Sequence, residues 1–72
     1  MVKLAWENGW GGTSYAHNTP DGGKYHTEEF NGRYHAYWRG PKTQKYIDLG
    51  SGSSKLHAQI ICEVDYLSRY DA

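Results

Sequence analysis

Seventy-two residues with one cysteine and a formal net charge of zero describe a single small domain, residues 1–72, that cannot close an internal disulfide. The lone thiol points to a reducing compartment, so the cytoplasm is the expected location, and no apolar run is long enough for a signal peptide or a membrane span. Eight basic and eight acidic side chains leave no global field that would draw the chain onto a polyanion, yet residues 30–47 hold Arg33, Arg39, Lys42 and Lys45 and no carboxylate.

Residues 1–23 are rich in Gly and turn formers. Val2, Leu4 and Trp6 alternate with Lys3, Ala5 and Glu7, which suits a short half-buried strand, and Asn8-Gly9 can turn it back toward "WGGTSYA". The run "GGTS" weakens a second strand, so this segment is read as an arm added at an edge or one end of the fold.

Residues 24–49 carry the clearest pattern. "KYHTEEF" and "RYHAYWR" flank Asn31-Gly32, and Asn-Gly favours a type I′ turn because both central positions need positive φ. A two-residue loop sets Phe30 opposite Arg33. Lys24, His26, Glu28 and Phe30 then share a face with Arg39, Tyr37, His35 and Arg33, while Tyr25 pairs with Trp38, Thr27 with Ala36 and Glu29 with Tyr34 on the other. Phe30 on the polar face leaves a longer, bulged loop as an alternative. A second turn, "RGPKTQ", leads into "KYIDLG", whose Ile47 and Leu49 are expected to join Trp38 on the packed face.

Ser53 or Ser54 can cap a helix over residues 53–70. Leu56, Ile60, Val64 and Leu67, with Ile61 at their flank, form the stripe expected to lie on the sheet. Cys62 falls outside that stripe, His57 lies at its border, and Asp65 and Arg69 form an i,i+4 pair on the opposite side. The fold expected is α+β: a three-stranded antiparallel sheet, four- or five-stranded if the N-terminal segment pairs, packed on one face by a C-terminal helix.

Chemistry-bearing motifs are absent. There is no Cys-x-x-Cys or close His pair for a metal, and no phosphate-binding glycine loop. Glu28 and Glu29 face opposite ways, and no base or orienting group can be assigned to Cys62. Neither an enzyme nor a cofactor is expected. What remains is the sheet face bearing Arg33, His35, Tyr37 and Arg39, with Lys42 and Lys45 in or near the following turn. A β-ribbon of this kind can enter the DNA major groove, although any antiparallel sheet covered on one side leaves such a face in water.

The stretch "GRYHAYWRGPKTQKYIDLGSGSSKLHAQIICEVD" resembles the strand-turn-strand-helix unit of plant ethylene-response-factor type DNA-binding domains and of the arm-type DNA-binding domains of phage integrases. The resemblance rests on Gly32 with Tyr34, the turn Gly40 to Thr43, Ile47-Asp48-Leu49-Gly50, Ser53 or Ser54, and Ala58. It implies duplex DNA as partner, with Arg33, His35 and Tyr37 nearest the bases, Arg39, Lys42 and Lys45 on phosphate, and a phage or mobile-element origin. Gly52 stands where many relatives carry an aromatic beneath the helix, and residues 1–23 have no counterpart. A rival reading keeps the same surface. Tyr, Trp and Arg are enriched at protein hot spots, so the domain would be a protein-interaction module, such as a phage-encoded inhibitor or adaptor that meets a host protein. A homodimer joined by strand edges or exposed tyrosines is the third.

Overall fold

A computed structural model describes residues 4–43 and 45–70, so Val2, expected in the first strand, lies outside the described residues. The strands are β1 (Trp6–Asn8), β2 (Ser14–Ala16), β3 (Lys24–Phe30), β4 (Arg33–Arg39) and β5 (Tyr46–Gly52), and they precede one helix, α1 (Lys55–Tyr70). All neighbours are antiparallel, in the order β1-β2-β3-β4-β5. The sheet therefore has five strands rather than three. The N-terminal segment supplies the other two, with Ser14 and Ala16 of β2 paired to Thr27 and Tyr25 of β3.

The central hairpin follows from its turn. Asn31 and Gly32 take φ of 54° and 77°, which fixes the two-residue loop and sets Phe30 opposite Arg33. Every pairing in register from Lys24↔Arg39 to Phe30↔Arg33 obeys the alternation in the sequence. Phe30 accordingly stays on the open face, mostly in water. The bulge occurs elsewhere: Ala36 pairs with Gly50 and Tyr37 with Asp48, which leaves Leu49 as an extra residue in β5. The expected loop after Asn8 widens to Gly9–Thr13, closed by Gly9 N–H on the Thr13 carbonyl (2.9 Å) and Thr13 N–H on the Trp10 carbonyl (3.0 Å).

β5 runs to Gly52, past the expected end at residue 49, and the helix begins at Lys55 rather than 53. Ser54 is the cap, its Oγ accepting the His57 N–H at 3.1 Å while its carbonyl accepts the Ala58 N–H at 3.1 Å. Gly52 is buried under the first helical turn, and a β-carbon there would lie 2.4 Å from His57 Cγ. That approach explains why no aromatic occupies the position.

The helix is rotated by about half a turn from the expected orientation. Its buried residues are Ala58, Cys62 and Tyr66, whereas Leu56, Ile60 and Val64 are exposed. The cause lies in the sheet, whose packed face carries Tyr25, Tyr34 and Trp38. Rings of that size are met by the small side chains of Ala58 and Cys62 and, edge-on, by the Tyr66 ring 6.4 Å from that of Tyr25. Their polar tips, with the hydroxyls of Ser14 and Thr27, also require hydrogen-bonding partners that an aliphatic stripe lacks. The helix meets them with Gln59 Nε2 donating to Ser14 Oγ (3.1 Å), Asp65 accepting from Tyr25, and Tyr70 accepting from Trp38 Nε1 (3.1 Å). Asp65 and Arg69 do pair, but on the sheet side, with the guanidinium 3.6 Å from the Trp38 ring centroid. Ile47, in register with Trp38, is exposed rather than packed, while Leu49 is half-buried against the core.

Candidate functional site

The sheet face away from α1 is built by the side-chain alternation of β4. Arg33, His35, Tyr37 and Arg39 line one side of the strand, while the fully buried Ala36 packs toward the helix between Tyr34 and Trp38. Six residues of extended chain separate the two arginines by about 20 Å, with His35 and Tyr37 between them. Across the sheet this row meets Lys24, His26 and Glu28 of β3 on one side and Tyr46, Asp48 and Ser51 of β5 on the other. Lys42 and Lys45 are exposed in the β4–β5 connection at the Arg39 end, where the Lys45 N–H donates to Thr43 Oγ1 at 3.1 Å. The residues singled out in the sequence thus form one row with its two lysines at one end.

Aromatic rings that the sequence pattern did not assign to the site fill the centre of this face. His26 stacks on Tyr37 with centroids 4.8 Å apart and meets the Tyr46 ring edge-on at 4.4 Å; Tyr15 of β2 lies 6.1 Å away. His35 and His17 extend the cluster at 6.3 Å from Tyr37 and 6.2 Å from Tyr15. The enclosure leaves His26 only 7% exposed, with Nδ1 buried and unpartnered and Nε2 3.1 Å from Glu28 Oε1. The signal for Tyr15 was present as a ring between the two small residues Ser14 and Ala16, but three residues are too few to read a strand from alternation.

The charges on this face are arranged unequally. Arg33 donates from Nε and Nη2 to Ser51 Oγ at 3.3 and 3.1 Å, and Arg39 sits 5.5 Å from the Tyr46 ring centroid. The acids are occupied locally: Glu28 by His26, and Asp48 by the Gly50 N–H at 2.8 Å. Among the described residues the ion pairs are His26–Glu28 and Asp65–Arg69, so both arginines of β4 keep their charge uncompensated by a direct carboxylate partner. Burial, with the nearby carboxylates of Glu28 and Asp48, pushes the Tyr37 hydroxyl above its ordinary range and keeps it a neutral donor.

Cys62 is fully buried under the sheet, a correction to its placement away from the core, and desolvation pushes its thiol up to about 12. No group of three or more His, Cys, Asp or Glu among the described residues could hold a metal ion, and none of their helices is long and apolar enough to cross a membrane.

No protein-family model, curated protein or solved structure matches this chain. The site offers two guanidinium groups at the ends of β4 and two ammonium groups in the connection that follows, with aromatic donors and acceptors between the arginines.

Proposed function

We propose that the domain binds duplex DNA through the open face of β4 and β5. The observation that carries this reading is the pair of arginines at the two ends of β4, each held by a neutral partner, Ser51 or Tyr46, rather than by a carboxylate. Guanidinium groups so held can donate two hydrogen bonds to the edge of a guanine or to a phosphate. A two-stranded ribbon fits a major groove about 12 Å wide. In this pose Arg33, His35 and Tyr37 lie nearest the bases, and Arg39, Lys42 and Lys45 reach the backbone. β1 and β2 stay clear of the phosphates, since residues 4–23 contain no Lys or Arg.

The test is an NMR titration of the labelled domain with a mixed-sequence duplex at low and at physiological salt. Shifts at Arg33, His35, Tyr37, Arg39, Lys42 and Lys45 that weaken as salt rises support the reading, because phosphate contacts release counterions. Unmoved spectra at low salt overturn it.

A second reading is favoured by the ring cluster around His26 and by the net charge of zero: the same face meets a protein, with Tyr15, Tyr37 and Tyr46 as anchors. Binding to a protein partner that persists at high salt, together with no response to DNA, selects it.

A further inference from the structure

Among the described residues, Arg69 is paired with Asp65, Lys55 Nζ donates to Asn8 Oδ1 at 3.0 Å, and Arg33 donates to Ser51. The side chains of Lys24, Arg39, Lys42 and Lys45 make no hydrogen bond or ion pair with other described residues. All of them lie at one end of the sheet. Lys24 and Arg39 are the outermost pair in the β3–β4 register, and Tyr46 is the partner of Arg39 on its other side, so the three stand in one row across the open face. Lys42 and Lys45 are exposed in the connection between Arg39 and Tyr46. Like charges directly opposite each other in a sheet, with β-carbons about 4.5–5.5 Å apart, are destabilising. The carboxylates that could relieve them are held elsewhere. Asp21 accepts from the Gly23 N–H at 2.9 Å and from the Tyr70 hydroxyl at 2.8 Å, Asp48 accepts from the Gly50 N–H further along β5, and Glu28 holds His26.

We infer that Lys24 and Arg39 form a seat for a phosphate-class anion, with Lys42 and Lys45 adding positive charge from the connection beyond. Two features select that chemistry. First, a guanidinium fork beside an ammonium suits a group with several acceptor oxygens and more than one negative charge: Arg39 can give two parallel hydrogen bonds while Lys24 adds a point charge. A single carboxylate would leave most of the charge at this end unanswered. Second, Arg39 is half-buried and its guanidinium lies 5.5 Å from the Tyr46 ring centroid, so its orientation is set before an anion arrives. As a holder of a nucleic-acid backbone phosphate the seat rests on the DNA reading and adds Lys24 to its anchors. As a seat for a free phosphate group it does not need that reading.

The test is an NMR titration of the full chain with inorganic phosphate, without nucleic acid, against sodium acetate and sodium chloride at matched ionic strength and pH, followed at the backbone amides and at the side-chain nitrogens of Lys24 and Arg39. Phosphate is expected to give saturable shifts at both residues, and acetate and chloride none that saturate. Lys24→Gln and Arg39→Gln should each weaken the response by about tenfold. Lys55→Gln, which removes the same charge at the start of the helix, should leave it unchanged. A mixed-sequence duplex added to the phosphate-bound chain then separates the sources. Displacement of phosphate, with a salt slope about 0.9 flatter in Lys24→Gln, assigns the seat to the DNA backbone; retained phosphate assigns it to a free phosphate ester and counts against the DNA reading. Equal responses to the three anions, saturation by acetate, or phosphate binding that survives both substitutions overturns the inference. A duplex response in a chain that ignores phosphate overturns it too, and leaves the DNA reading in place.

Discussion

The buried phenol of Tyr25 on β3 donates a 2.6 Å hydrogen bond to Asp65 Oδ2 on α1, 40 positions later in the chain. Asp65 is gripped at the same time by Arg69 Nε at 2.9 Å, and that guanidinium covers the Trp38 ring. Ring, carboxylate, guanidinium and ring thus run continuously along the seam between sheet and helix. Tyr25→Phe keeps the packing and removes one hydrogen bond to a charged group, so it is expected to cost about 1.5–3 kcal/mol. Urea unfolding should show the midpoint falling with the slope unchanged.

The same burial sets the response to alkali. Desolvation, reinforced by the hydrogen bond to and charge of Asp65, raises the Tyr25 hydroxyl above its ordinary 10.0, and desolvation raises the Cys62 thiol from 9.0 to about 12. An unfolded chain releases both protons earlier than the folded one, so above pH 9.0 it binds fewer protons and stability falls as pH rises. The contribution of both groups is fully present below that pH. Urea midpoints should decline progressively from pH 9.0 to about 12, and Cys62→Ala, although less stable throughout, should show the shallower decline at its onset. A wild-type midpoint that stays level over that range would exclude the mechanism.

The entry to the helix is controlled by two neighbouring positions. Ser54→Ala removes the cap and should lower stability by about 1 kcal/mol, while Ser53→Ala should change it by well under that. Gly52→Ala inserts a methyl into the His57 side chain and is expected to cost about 1–3 kcal/mol. Thermal melts of the three variants should order them in this way, and an unaffected Gly52→Ala would mean that the first turn can move aside.

Arg33→Ala and Arg39→Ala should each weaken duplex binding, and the log–log salt slope should flatten by about 0.9 for each phosphate that the variant no longer neutralises. Neither arginine packs in the core, so melting temperatures should stay close to wild type. Weaker binding accompanied by a comparable fall in stability would assign these residues to the fold instead.

Much of this architecture could be read from the chain, and the failures have two physical causes. The β3–β4 hairpin was legible to the residue, because Asn31-Gly32 fixes the register and the alternation on both sides agrees with it. The row Arg33, His35, Tyr37, Arg39 followed directly. The helix face was misread because a wheel ranks Leu, Ile and Val above Ala and Cys. The sheet presents large rings with polar tips, so fit and hydrogen bonding outweighed hydrophobicity at Ala58, Cys62 and Asp65. β1 and β2 are three residues each, too short for periodicity, and the ring cluster around His26 depends on β2 and Tyr46 of β5 arriving beside β3 and β4.

The hydrogen bonds that fasten the helix reach far back along the chain. Glu63 holds the backbone of Leu4, Asp65 holds Tyr25, and Tyr70 joins Trp38 to Asp21 through contacts of 3.1 and 2.8 Å. Each joins the helix to strands and loops that precede it in the chain and leave the ribosome before it. The nascent sheet must therefore wait, with Tyr25 and Trp38 uncovered, until Tyr70 has emerged, and closure of long loops should make the folding step slow for a domain of this size. Ribosome-bound chains ending before Asp65 should be protease-sensitive throughout, and protection should appear in one step as the final helical turn clears the exit tunnel.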